Sequence, residues 1–398
     1  MLNRRKFLQY SAAGLAGSMV PLASRATNVG SIPAENRKKD IIFRTLGKTG
    51  IQLPVVSLGV MRVDNPNLVR SALDGGMIHL DTAHGYQQGR NEEMLGNLLT
   101  GRSRDSFVIA TKIHPREPIS TEEFLNMFNT SLKRLKLDYV DMLYLHAVDN
   151  RDYMFNENYL NALAKAKKEG KARFVGLSTH SNMAKVLRWA VESKFYEVVL
   201  TSYNFMMHND SDMHAALEEA GRAGLGIIAM KTMAGGGYWD REKTQKINTR
   251  AALKWALQNP NIHTAIPGCT TFDQLEENLS VMSDITLTED ELRDLRLTDT
   301  MHQEEGKETS SLFCFGCRTC EKQCVKHLPL PELMRAYMYT YGYRDMALAR
   351  EVIDNSSHLK GACADCAACT VSCPYGLPVA QRVQDVERLA DVPREFLV

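Results

Sequence analysis

The chain reads as an α/β protein: a (β/α)8 barrel of the TIM type over residues 40–300, followed by a small, mainly α-helical, cysteine-rich domain over residues 308–390. Three observations predict this. Short apolar runs alternate with helix-like segments, and with Val55–Leu58 as the first strand their count is eight, in a span matching the roughly 250 residues typical of such barrels. No Gly-x-Gly-x-x-Gly follows the first run, which argues against an open doubly wound sheet. Eight of the nine cysteines lie beyond residue 313, in two copies of one spacing.

In chain order, the buried-strand runs after Val55–Leu58 are Met77–Leu80, Phe107–Ala110, Val140–Leu145, Phe174–Leu177, Val198–Leu200, Gly226–Met230 and Thr264–Ile266. They are continuous rather than alternating, as strands covered on both faces are. Between them the period changes to that of helices at Thr121–Leu135, Tyr159–Glu169, Met183–Glu192, Met213–Ala223, Thr249–Gln258 and Phe272–Val281. The charged segment Leu287–Leu297 is expected to close the bottom or flank of the barrel, and Thr300–Ser311 reads as a polar linker. Helix-like Pro331–Tyr339 and Arg344–Ile353 separate the cysteine runs. Tyr337, Tyr339, Tyr341 and Tyr343 either pack that helix and its loop or line an electron path.

The cysteine runs are Cys314-x2-Cys317-x2-Cys320-x3-Cys324 and Cys363-x2-Cys366-x2-Cys369-x3-Cys373, the second followed by Pro374. In bacterial two-cluster ferredoxins this spacing lets three thiolates of one run hold a cuboidal cluster while the fourth reaches the other cluster. The expectation is two 4Fe-4S clusters. If the wiring follows those ferredoxins, one is held by Cys314, Cys317, Cys320 and Cys373, and the other by Cys363, Cys366, Cys369 and Cys324. Structural zinc would want paired C-x2-C knuckles, and disulfides would want partners less close than neighbours on one tight loop. Cys269, after an apolar run, reads as an ordinary small buried residue.

At the amino terminus, Asn3-Arg4-Arg5-Lys6-Phe7-Leu8 precedes the small and apolar stretch Ser11–Leu22, and Ser24-x-Ala26 offers a cleavage site. The paired arginines resemble the twin-arginine export signal, which serves proteins exported already folded. Residues 1–26 are therefore expected to be a signal peptide read by the twin-arginine machinery, and the mature protein to be periplasmic. Its removal deletes Arg4, Arg5, Lys6 and Arg25 and takes the formal charge from +1 to −3. A near-neutral mature chain offers no electrostatic basis for binding nucleic acid.

Chemistry in a barrel belongs at the carboxyl ends of its strands. The second strand ends in Asp81-Thr82-Ala83-His84-Gly85-Tyr86, the third in Ala110-Thr111-Lys112 and the fourth in Tyr144-Leu145-His146. Taken singly these residues have plainer roles: a cap, a solvated lysine, a satisfied histidine. Together and in order they resemble the aldo-keto reductase family, over essentially the whole central domain. The resemblance implies that Asp81, Tyr86, Lys112 and His146 are a catalytic tetrad acting on a small carbonyl or hydroxyl substrate with a nicotinamide, NAD or NADP. Lys112 is expected to lower the Tyr86 pKa, Asp81 to keep Lys112 ionised, and His146 to orient the carbonyl.

For the cofactor, the resemblance implies contacts from Ser178, Thr179, Gly268, Glu277 and Asn278. Thr179 stands where the family has asparagine, Leu200 where many relatives have glutamine, and Pro267-Gly268-Cys269 where they have Pro-Lys-Ser. Gln274 replaces an arginine, so both cationic contacts to a 2′-phosphate are missing, and Arg250 is the candidate substitute. The glycines of Met233-Ala234-Gly235-Gly236-Gly237 either admit a pyrophosphate or form a mobile loop.

End to end, the chain resembles aldo-keto reductases fused to a ferredoxin-type domain of α-helical arrangement. Three readings follow. An exported oxidoreductase with a tightly held nicotinamide exchanges electrons with a redox partner protein at or near the membrane. Alternatively the clusters are structural or regulatory, beside ordinary carbonyl-alcohol chemistry. In the third, a nicotinamide-independent electron carrier or interaction protein keeps a relic barrel.

Overall fold

A computed structural model describes residues 40–300, 311–354 and 369–397, together with residues 359, 361, 363 and 366. The expected signal peptide and residues 301–310 of the expected linker lie outside the described residues. A hairpin, β1 (Phe43–Thr45) and β2 (Gln52–Pro54), precedes eight parallel strands: β3 (Leu58–Gly59), β4 (His79–Asp81), β5 (Val108–Ile113), β6 (Val140–Leu145), β7 (Ala172–Thr179), β8 (Val198–Ser202), β9 (Gly226–Met230) and β10 (Thr264–Ala265). They neighbour one another in sequence order. Backbone bonds join the first strand to the last, Ser57 N–H donating to Ala265 C=O (2.8 Å) and Ala265 N–H to Val55 C=O (2.9 Å), so the sheet closes. All eight expected strands form, the first displaced by a few residues toward Gly59.

Strands β5 and β6 are buried at every position, which is why their sequences read as unbroken apolar runs. The hairpin, not a charged helix, fills the barrel's amino-terminal mouth. Leu46, Ile51 and Leu53 pack onto the inward-facing Val108, Ala110, Met142, Tyr144, Leu200 and Ile228.

Helices α1 (Pro66–Gly75), α2 (Arg90–Leu99), α3 (Thr121–Leu135), α4 (Glu157–Lys168), α5 (Met183–Ser193), α6 (Ser211–Ala223), α7 (Thr249–Gln258) and α8 (Phe272–Ser280) surround the strands. Caps set their starts: Ser120 and Glu123 form a reciprocal capping box on α3, and Asp210 accepts from Met213 N–H on α6. Helix α9 (Glu289–Thr300) lies on the flank, where Glu291 pairs with Lys254 of α7 at 3.1 Å.

The second domain packs a separate core around α10 (Leu330–Tyr337), α11 (Met346–Asp354) and α12 (Val379–Glu387). It sits on the face of the barrel where the strands end. Phe313 enters the barrel's outer core, Arg62 Nη2 donates to Tyr343 C=O (2.8 Å), and Arg241 pairs with Asp385 at 3.0 Å. The glycine loop after β9 meets this domain: a Cβ on Gly342 would lie 2.1 Å from the Gly235 carbonyl oxygen. Gly235 and Gly236 therefore serve a close approach of two backbones at the domain boundary, while Gly236 and Gly237 line the large cavity at the strand ends. Among the described residues no helix is long and apolar enough to cross a membrane.

Candidate active site

The four tetrad candidates converge because β4, β5 and β6 are adjacent and parallel, with Leu80 beside Ile109 and Lys112 beside Tyr144. Lys112 Nζ lies 2.5 Å from Asp81 Oδ1, 2.7 Å from the Thr82 carbonyl oxygen and 3.1 Å from Tyr86 Oη. Asp81 and Lys112 are 2% and 1% exposed, so the pair is held away from water. The Asp81 carboxylate and Tyr86 outweigh burial and hold Lys112 above the ordinary lysine range, which keeps it an ammonium.

The Tyr86 phenol runs against expectation. Desolvation in the cleft raises its pKa above 10; Lys112 pulls it down as anticipated but does not win, and Asp81 adds to the rise. The resting phenol is therefore protonated. His146 stands edge-on to Tyr86, ring centres 5.9 Å apart. Burial first, then Lys112, His114, Arg335 and Lys231, push its pKa well below 6.5, so the imidazole is neutral and has one N–H to offer.

A layer beneath fixes these groups. Thr82 Oγ1 donates to Asn91 Oδ1 (2.6 Å), Asn91 Nδ2 to Val60 C=O (2.8 Å), and Thr111 Oγ1 to the buried Glu92 (2.7 Å), which also meets Arg134 at 3.3 Å. Sequence reasoning missed Asn91, Glu92 and Arg134. Nothing in their spacing marks them, since α2 and α3 bring them under the strand ends only in three dimensions.

The tetrad faces a cavity of about 1000 Å³, at the upper end of the ~300–1000 Å³ of ordinary ligand pockets. Ser178, Gly268, Glu277 and Asn278 line it. Ser178 Oγ accepts from Ala147 N–H (3.0 Å), and Thr249 Oγ1 donates to Glu277. Thr179 is turned away: it is fully buried and its hydroxyl donates to the Ser181 carbonyl (2.8 Å). Arg250 pairs with Glu291 at 3.5 Å on the barrel flank, and Leu200 belongs to the barrel interior. Cys269 is buried, its thiol pushed up to about 12 by desolvation. A long cavity with a serine hydroxyl at one part of its wall and Glu277 and Asn278 at another fits a nicotinamide dinucleotide.

The roof of this cavity comes from the second domain: Glu332, Arg335, Tyr339, Tyr343 and Glu351 all line it. Helix α10 continues as a π-helical turn, Met338–Tyr343, and Tyr339 and Tyr343 stack with ring centres 5.4 Å apart. Two of the four tyrosines thus face the cavity, whereas Tyr337 packs within its own domain, 4.5 Å from Tyr341 between ring centres.

Cys314, Cys317, Cys320 and Cys373 lie within electrostatic reach of one another, as do Cys363, Cys366, Cys369 and Cys324. Cys314 is raised to about 11, by burial first and then by the thiols of Cys373 and Cys317; Cys320 is raised to about 12, by burial and then by Cys314, Cys317 and Cys373. Cys363 is raised by burial and by Cys366, Cys369 and Cys324. Gly316 N–H donates to Cys314 Sγ at 3.4 Å. Each set offers four thiols as donors. That donor set fits cuboidal clusters. The first cysteine loop is clamped by the barrel: Asn182 N–H donates to Gly316 C=O (2.9 Å), and a Cβ on Gly316, at φ +63°, would lie 2.4 Å from the His180 carbonyl oxygen.

Comparisons with known proteins agree with this division. Residues 56–250 match the model of the Aldo/keto reductase family, and residues 313–383 match that of the 4Fe-4S dicluster domain. The L-glyceraldehyde 3-phosphate reductase of Escherichia coli K12 is 28% identical, over 63% of this chain and 90% of that protein. The L-galactose dehydrogenase of Arabidopsis thaliana is also 28% identical, over 62% of this chain and 89% of its own. Among solved structures, an aldo-keto reductase from Bacillus halodurans in its holo form superposes with a TM-score of 0.54 at 21% identity, covering 65% of this chain and 96% of that one.

Proposed function

We propose that this chain, an oxidoreductase with an aldo/keto reductase domain and a carboxy-terminal 4Fe-4S dicluster domain, interconverts a small carbonyl compound and its alcohol at the Asp81, Tyr86, Lys112 and His146 cleft. Two clusters carry electrons between that cleft and a redox partner. The observation that carries the reading is the Lys112 ammonium, held at once on Asp81, on the Thr82 carbonyl and on the Tyr86 hydroxyl, in a cavity roofed by the cluster domain. A bound nicotinamide, NAD or NADP, supplies the hydride chemistry, and the clusters supply one-electron carriers.

The residues of the chain do the rest. Neutral His146 offers its N–H to the substrate oxygen and fixes the carbonyl. Tyr86, kept protonated, gives its proton to the developing alkoxide in reduction and takes the hydroxyl proton in oxidation. Lys112 stabilises the phenolate that results, and Asp81 balances the ammonium in both states. The named activities of the two curated relatives, on a phosphorylated triose and on a sugar, support a small polar substrate. Lining of the cavity by second-domain residues supports a nicotinamide that leaves slowly, yet exchanges enough for turnover when it is supplied in excess. Arg4 and Arg5 support export of the folded, cluster-loaded protein to the periplasm.

Cys317→Ala tests the wiring. With added nicotinamide the variant is expected to keep aldehyde reduction, and to lose reduction of a viologen dye at the expense of an alcohol. A folded Cys317→Ala protein that retains both activities would take the clusters out of the electron path.

A further inference from the structure

Two basic side chains share the catalytic cavity, and among the described residues no acid is bound to either. Lys231 directly follows β9 and lines the wall, and among the described residues no hydrogen bond or ion pair reaches its ammonium. Arg335 enters from α10 of the cluster domain; its Nη1 meets only the Nε2 of His180, a neutral imidazole. Glu332, the acid on that roof which acts on Lys231, turns instead to Arg318 at 3.4 Å, and Asp149 also pairs with Arg318. Burial first, then Arg335, lowers the Lys231 pKa to about 7, and an anion between the two groups would favour the ammonium and offset both the repulsion and part of the desolvation cost.

Their position says whose anion. Lys231 and Arg335 line the same cavity as His146, the group that orients the substrate oxygen, so an anion held by them shares that space with the reacting carbon. A guanidinium presents parallel N–H donors to a carboxylate or phosphate, and an ammonium adds a point charge.

We propose that Lys231 and Arg335 form a composite oxyanion subsite across the domain boundary, and that the substrate is a short-chain carbonyl or hydroxyl compound bearing a carboxylate or phosphate. The inference rests on the carbonyl-alcohol reading above and deepens it by naming the substrate class. It also gives the cluster domain a second task, since one of the two anchors exists in the cavity only while that domain is docked.

The test uses the full cluster-loaded protein and two aldehydes that differ in charge, 4-oxobutanoate and butanal, with nicotinamide supplied. The expected KM for the acid is at least tenfold below that for butanal. Lys231→Met and Arg335→Gln should each raise the KM for the acid about tenfold with a smaller change in kcat, while Lys231→Arg and Arg335→Lys keep part of the preference. Calorimetry with unreactive butanoate should show binding to the wild type that both charge-removing variants lose, with visible cluster absorbance unchanged as the check on folding. Equal KM values for the two aldehydes, together with no butanoate binding, would overturn the proposal. So would variants that weaken only the dinucleotide, which would make the cations ligands of cofactor phosphates, or a Lys231→Met effect confined to the cluster reduction potential, which would make Lys231 the counter-charge of Cys314. If neither aldehyde is turned over while butanoate still binds through these residues, the carbonyl-alcohol reading fails and the subsite stands.

Discussion

Lys112→Met isolates the buried ion pair on which the site is built. Methionine keeps most of the volume, so little is lost to a cavity. What is lost is the ammonium 2.5 Å from Asp81 Oδ1; Asp81 Oδ2 has no partner even in the wild type, so the variant leaves both carboxylate oxygens unsatisfied at 2% exposure. Breaking such a pair costs about 3–5 kcal/mol. At the ~2–4 °C per kcal/mol of large domains, the melting temperature should fall on the order of 10 °C. The loss should also depend on pH, with a definite sign. Burial alone raises the Asp81 pKa, and in the variant nothing opposes it. A carboxyl whose folded pKa lies above its unfolded value of about 3.9 costs nothing below that value and progressively more as pH rises toward the folded value. The deficit relative to wild type should therefore be larger at pH 8 than at pH 5. Asp81→Asn combined with Lys112→Met should cost less than the two changes summed, by about 0.5–3 kcal/mol of coupling. Anaerobic thermal melts at the two pH values decide the matter. A Lys112→Met melt within about 2 °C of wild type at pH 8 would refute the reasoning.

Two further expectations can be checked on the same preparations. Anaerobically purified protein should carry about eight irons and eight labile sulfides per chain, the load of two cubane clusters; stoichiometric zinc, or half that iron, would contradict the two-cluster proposal. With an uncharged aldehyde, kcat for reduction should stay flat between about pH 6.5 and pH 10, the ordinary values of imidazole and phenol, because burial moves His146 below the first and Tyr86 above the second. An inflection near pH 7 that persists in Lys231→Met would mean that one of the two is not held as described, whereas one that disappears belongs to Lys231, lowered to about 7 by burial and then Arg335.

The parts of this molecule that were legible in its sequence are those where a single segment carries its own signal. Val140–Leu145 reads as a buried strand because both of its faces are covered; Asp81, Lys112 and His146 stand out because each falls at the carboxyl end of a strand, and Tyr86 because it follows Asp81 in the loop after β4. The cysteine runs are legible because the spacing within one loop already limits what the thiols can hold. What escaped depends on segments far apart in the chain. The glycines after Met233 read as suited to a phosphate or a mobile loop, and nothing near them announces that Gly342, more than a hundred residues on, presses against Gly235. Thr179 stands at the right register for the cofactor, but the local turn to Ser181 consumes its hydroxyl. The hairpin that plugs the barrel escaped because its strands are only three residues each, too short for a period to show. Arg335 and Lys231 escaped for the same reason as the roof itself: nothing in either sequence neighbourhood announces the other domain.

The central claim, that Tyr86 is the proton donor of a carbonyl-alcohol oxidoreductase, is tested most directly by the rate of nicotinamide-dependent reduction of small aldehydes by wild type and Tyr86→Phe at matched iron content. The substitution removes one hydroxyl 3.1 Å from Lys112 Nζ and almost no volume. The account predicts a loss of about 10²–10⁴-fold in kcat, with dinucleotide binding and the cluster spectrum intact; a Tyr86→Phe protein that works at the wild-type rate would contradict it.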